Sequence, residues 1–144
     1  MPDGRIRHAI YQTFAEGGIP LSATLSHQLQ IPVEDVRAAL ERLHDAHAIV
    51  LNPNTREPWM ALPFSSVPTP FIVESGARSW FVNCAWDALG LPVLLGVDAV
   101  IRATCPDCDL PIVYRVEDGK LADAHGVVHF AVPAAQWWDD IGFT

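Results

Sequence analysis

The sequence predicts an α+β protein, and three observations lead there. Apolar residues recur every three or four positions through residues 5–47, the spacing of helices that bury one face. Three prolines fall within residues 63–70, a run that cannot be helical. Beyond it, short segments alternate apolar and polar residues between turn-forming Asp, Gly and Pro, as half-buried strands do. The expected organisation is a winged-helix-like three-helix unit over residues 1–62, a Pro-rich linker over 63–75, and a small, mostly antiparallel sheet domain with short helices over 76–144.

The first helix is expected over Arg5 to Glu16, with Ile6, Ile10 and Phe14 on one face and Gly17-Gly18 ending it. Leu21 to Gln30 repeats the four-residue spacing with Leu21, Leu25 and Leu29. Pro32 opens a third helix whose first turn carries Glu34 and Asp35, where the helix dipole favours carboxylates. Its buried stripe is Val33, Val36, Leu40 and Leu43, with His47 continuing the line. A strand at 48–51, the turn Asn52-Pro53-Asn54 and a strand near 59–62 complete the winged-helix order. Residues 63–70 should run extended with little ladder pairing, pinned by Phe64 and Phe71. In the second half, strands are expected at 98–104, 110–117 and 127–132, with Leu91-Pro92 ending a short helix and Trp137-Trp138 centring a last helical turn.

Composition narrows the function classes. Of 144 residues, half are hydrophobic and 18% charged, enough to build a core. The net charge of −8 works against a phosphate-binding surface, and the third helix sets Glu34, Asp35, Glu41 and Asp45 against Arg37 and Arg42. Nucleic acid is therefore not the expected partner. With no signal-peptide block and no apolar run of membrane-spanning length, a soluble, cytoplasmic protein is expected. Three cysteines fit free thiols or metal ligands better than a disulfide framework.

The chemistry concentrates at Ser79 to Gly90, a short apolar strand delivering Cys84 to the start of a helix with Asp87 three residues on. That spacing places thiol and carboxylate on one side of the helix N-terminus. Unpaired N–H groups and the helix dipole there lower a cysteine pKa. Asp87 reads either as a partner in catalysis or as a capping carboxylate at the third helical position. Cys105-Pro106-Asp107-Cys108 reads as half a zinc knuckle, a redox pair or a structural turn. As a metal site it would need Cys84, His125, His129 or a partner chain to complete it. His44 and His47 lie three apart and read as a metal pair or as core-edge histidines, and His129 as a base, a ligand or a backbone-anchored ring.

At Asn83-Cys84-Ala85-Trp86-Asp87-Ala88-Leu89-Gly90 the sequence resembles the organomercurial (alkylmercury) lyase family. The likeness extends to the N-terminal part, the Pro-Phe-Ser and Pro-Thr pieces of residues 63–69 and Val128-His129-Phe130. It implies protonolysis of a carbon–mercury bond, with Cys84 as mercury ligand and Asp87 as proton donor. The products would be a hydrocarbon and bound Hg(II), later removed by cellular thiols, with no cofactor required. Mercury(II) is soft, so thiolate is its natural ligand. The family also uses a second catalytic cysteine near its C-terminus, and Gly142-Phe143-Thr144 supplies none. Three explanations stand open: the sequence is a truncated piece, Cys105 or Cys108 substitutes in space, or the chemistry has drifted from mercury. With one active-site thiol, activity is expected to be weakened or lost. The alternative is a non-catalytic thiol-based metal-binding or regulatory module using Cys84, Cys105 and Cys108.

Overall fold

A computed structural model describes residues 2–142 of the chain. Three helices come first: α1 (Pro2–Ala15), α2 (Ser22–Leu29) and α3 (Val33–Asp45). Ile6, Ile10 and Phe14 of α1, Leu25 of α2 and Val36, Leu40 and Leu43 of α3 are buried together, as their spacing requires. Leu21 stays largely exposed because α2 begins one residue later, at Ser22. The Glu57 carboxylate accepts from both the Ser22 N–H (2.7 Å) and its hydroxyl (2.6 Å). A distant acid thus supplies the cap that Leu21 cannot.

The sheet has eight strands: β1 (Val50–Leu51), β2 (Pro58–Ala61), β3 (Phe64–Ser65), β4 (Phe71–Ser75), β5 (Arg78–Val82), β6 (Ala99–Thr104), β7 (Pro111–Glu117) and β8 (Lys120–Leu121). Their spatial order is β1-β2-β3-β5-β4-β6-β7-β8, with every neighbouring pair antiparallel. Helix α4 (Ala85–Leu95) follows β5, and a 3₁₀ turn (Ala134–Asp139) lies near the end. Across the centre, Trp80, Val73 and Ile101 stand in register and are all buried.

The Pro-rich stretch behaves differently from the expectation of an unpaired extended segment. Phe64 and Ser65 bridge β2 to β5, and residues 71–75 form a central strand. The prolines stand outside β3 and β4, so no ladder donor is lost. Phe64 is buried and stacks on Phe14 at 5.2 Å. The Trp80 indole N–H donates to the Phe14 carbonyl (2.8 Å), and the Tyr11 hydroxyl to the Leu62 carbonyl (3.1 Å). Helices and sheet therefore share one core.

Three further expectations are corrected. Pro92 lies inside α4, which continues to Leu95 and ends at Gly96 (φ 64°), with the Val97 N–H bonded to the Pro92 carbonyl (3.0 Å). Leu91 and Pro92 are buried, and that packing offsets the missing donor. His47 does not extend the α3 stripe: the helix stops at Asp45, His47 turns at φ 56°, and its ring stacks on Trp138 at 4.1 Å. Residues 127–132 form no strand, since the sheet ends at β8. The segment is instead pinned by the Tyr114 hydroxyl, which donates to the His125 carbonyl (2.7 Å). Residues 143 and 144, where the C-terminal cysteine was sought, lie outside the described residues.

Candidate functional site

The β4–β5 hairpin determines where Cys84 stands. β5 ends at Val82, the backbone stays extended through Cys84 (φ −154°, ψ 177°), and α4 starts at Ala85. Cys84 is thus the N-cap, and its sulfur accepts from the Asp87 N–H at 3.5 Å. Asp87 occupies the third helical position, within hydrogen-bonding reach of the thiol. Asn83 braces the approach, its amide nitrogen donating to the carbonyls of Pro63 and Phe64 (3.0 Å each). Its Oδ1 is the one buried side-chain polar atom without a partner among the described residues.

Electrostatics run against the lowered thiol pKa expected of a helix N-terminus. Burial pushes the Cys84 thiol up and the Asp87 charge adds to that, while the N–H groups of Asp87 and Trp86 pull down and lose. Burial likewise raises the Asp87 carboxyl, opposed by the side chains of Cys84 and Asn83. A carboxyl that resists ionisation is a proton reservoir.

Cys84 lines a cavity of about 240 Å³ together with Asn83, Ala85, Phe71, Trp137 and residues 128–132, and Asp87 stands behind the thiol outside that lining. His129 is among the lining residues, so the segment expected as a strand serves as the cavity wall. An apolar cleft of about 520 Å³ adjoins it, lined by Trp86, Trp137 and residues 130–134. Trp86 was passed over in the sequence because a lone tryptophan on a helix gives no periodic signal.

Cys105 and Cys108 do not line this cavity. They sit in the β6–β7 turn, where the Cys105 N–H bonds to the Leu110 carbonyl (2.9 Å) and the Asp109 N–H to the Cys105 carbonyl (3.0 Å). Backbone N–H groups of Asp107 and Cys108 hold the Cys105 thiol below its ordinary pKa. Among the described residues no three His, Cys, Asp or Glu side chains converge on one point. Nothing among the described residues therefore brings Cys84 to the Cys105/Cys108 pair or adds a third ligand to that turn. Nor do His44 and His47 form part of a metal cluster: the His44 Nδ1 accepts from the Leu51 N–H at 3.4 Å. Among the described residues no helix is long and apolar enough to cross a membrane.

Known proteins fit this arrangement. A crystal structure of the mercury-bound form of MerB2 superposes with a TM-score of 0.68 at 27% identity, covering 85% of this chain and 59% of that one. The chain thus spans about three fifths of the length of that protein. Comparison with curated proteins finds no match. The alkylmercury lyase family matches residues 64–144, more than half of the chain and the part that holds Cys84, Asp87 and both cavities, so the chain belongs to the alkylmercury lyase family.

Proposed function

We propose that this protein cleaves carbon–mercury bonds by protonolysis, with Cys84 as the mercury ligand and Asp87 as the acid. The observation behind the proposal is the Cys84/Asp87 pair at the start of α4, its thiol lining a cavity, in a chain of this family. The Cys84 thiol exchanges with the leaving ligand of R–Hg–X: sulfur bonds to mercury, X departs, and the thiol proton leaves with it as H–X, giving R–Hg–S. Thiolate donation makes the mercury-bound carbon more basic, and the Asp87 carboxyl delivers its proton to that carbon. The bond to mercury breaks, R–H leaves, and Hg(II) stays on the sulfur with the new carboxylate beside it until cellular thiols remove it. We read α1–α3 with β1 and β2 as a winged-helix-like scaffold and not as a DNA reader. Arg37 and Arg42 are engaged by Glu34 (2.9 Å) and Asp3 (2.7 Å), which leaves little free positive charge on α3.

A single-turnover assay with an arylmercurial and excess small thiol tests this. Arene release from the wild-type chain that is lost in Asp87→Asn is the expected result. Binding without arene release in the wild type would overturn turnover. It would favour a metal-binding or regulatory thiol module, the reading to which the single cysteine in the cavity lends weight. With Cys105 and Cys108 replaced by Ser, so that no other thiol competes, Cys84→Ser should abolish stoichiometric mercurial binding.

A further inference from the structure

The apolar cleft beside the thiol has no part in the chemistry described so far. It shares Phe130, Ala131, Val132 and Trp137 with the Cys84 cavity, so the two spaces adjoin along a common wall. The thiol cavity offers Cys84, Asn83 and His129, whereas Trp86, Phe130, Ala131, Val132, Pro133, Ala134 and Trp137 line the cleft without one ionisable side chain. Trp137 presents a fixed apolar face, because its indole N–H is spent on the Val132 carbonyl (2.8 Å) and its ring packs against Phe130 at 5.2 Å. Trp86 also lines the cleft, 64% exposed, one residue before the acid and two after the thiol. So large an exposed indole costs solubility without stabilising the core, and its position beside the reactive pair gives it a use.

We propose that this cleft is the subsite for the organic group of the substrate, and that Trp86 gives the site a preference for arylmercurials over methylmercury. The inference rests on the reading of Cys84 as the mercury ligand. Two-coordinate mercury holds its carbon opposite the sulfur, so a group bound through Cys84 projects away from the thiol, and the adjoining cleft can receive it. An apolar cavity of about 150 Å³ already holds a benzene ring, and this cleft is about 520 Å³. A phenyl ring stacked or edge-on against Trp86 gains aromatic contact and apolar burial, whereas a methyl group has no ring to stack and little apolar area to bury.

The test needs no turnover. Phenylmercuric and methylmercuric acetate are each titrated into the full-length chain with Cys105 and Cys108 replaced by Ser, against a competing small thiol. The phenyl-to-methyl ratio of apparent affinities is compared with that of Trp86→Ala and Trp86→Phe in the same background. Loss of this exposed side chain should lower the ratio by about threefold to tenfold, and Phe should retain it. A ratio changed less than threefold in Trp86→Ala, or an equal loss for both mercurials, overturns the subsite. Cys84→Ser separates the two readings: if it leaves mercurial binding intact, the ligand assignment itself fails. If arene release is never observed, the affinity ratio still decides the cleft.

Discussion

The thiol at the centre of this protein is governed by two opposing local effects. The helix N-terminus aims two N–H groups at Cys84, which alone would favour thiolate, yet burial and the adjacent Asp87 prevail and keep the thiol protonated at higher pH. The outcome is a cysteine that stays protonated against water but loses its proton when a soft metal takes the sulfur. The sign gives a prediction. The alkylation rate of Cys84 should reach its half-maximum above the pH of an ordinary cysteine, and in Asp87→Asn that midpoint should move down because a raising charge is gone. Cys105, held low by backbone N–H groups, should react first. Peptide mapping after iodoacetamide at a series of pH values reads all of this, and a Cys84 midpoint below that of Cys105 would contradict it.

Among the elements, the segment after β8 is the one whose role depends most on a few contacts. It supplies a wall of the thiol cavity while lying outside the sheet, so it is held by side chains and backbone turns. Gly126 adopts φ +80°, and a Cβ there would lie 2.9 Å from the Tyr114 hydroxyl, whose bond to the His125 carbonyl anchors the segment. Gly126→Ala should therefore cost about 1–2 kcal/mol in backbone strain and contact. Much of that cost should appear locally, as faster amide hydrogen exchange over 122–133 and weaker mercurial retention. Exchange unchanged in that segment would mean the anchor is not what holds the wall. The alternation of 127–132 was visible in the sequence, but alternation records which side chains turn inward and not whether a neighbouring strand exists.

For the whole molecule, the decisive feature is the sheet that runs from β1 through β3 into the strands carrying the site. Phe64 lies at that junction, stacked on Phe14 and 1% exposed. We expect Phe64→Ala to cost about 3–5 kcal/mol, the range for emptying a buried aromatic position. Because both halves share this core, the wild-type chain should unfold in one transition. Far-UV circular dichroism and tryptophan fluorescence should then report the same midpoint, and separate midpoints would show that the halves melt independently.

What the sequence determined by itself is local: three amphipathic helices, the cysteine at a helix start with its carboxylate three residues on, and the likeness to the alkylmercury lyases that those residues carry. Periodicity and helix-end chemistry are properties of neighbouring residues and can be read along a chain. Only the tertiary structure decided that residues 64–65 and 71–75 are strands, because a ladder needs partners that lie at 60–61, 78–82 and 100–102. It alone separated Cys105 and Cys108 from the thiol cavity and brought His129 to it. The direction of the Cys84 pKa also belongs to it, since burial depends on how the folded chain packs around the thiol and not on its neighbours in sequence.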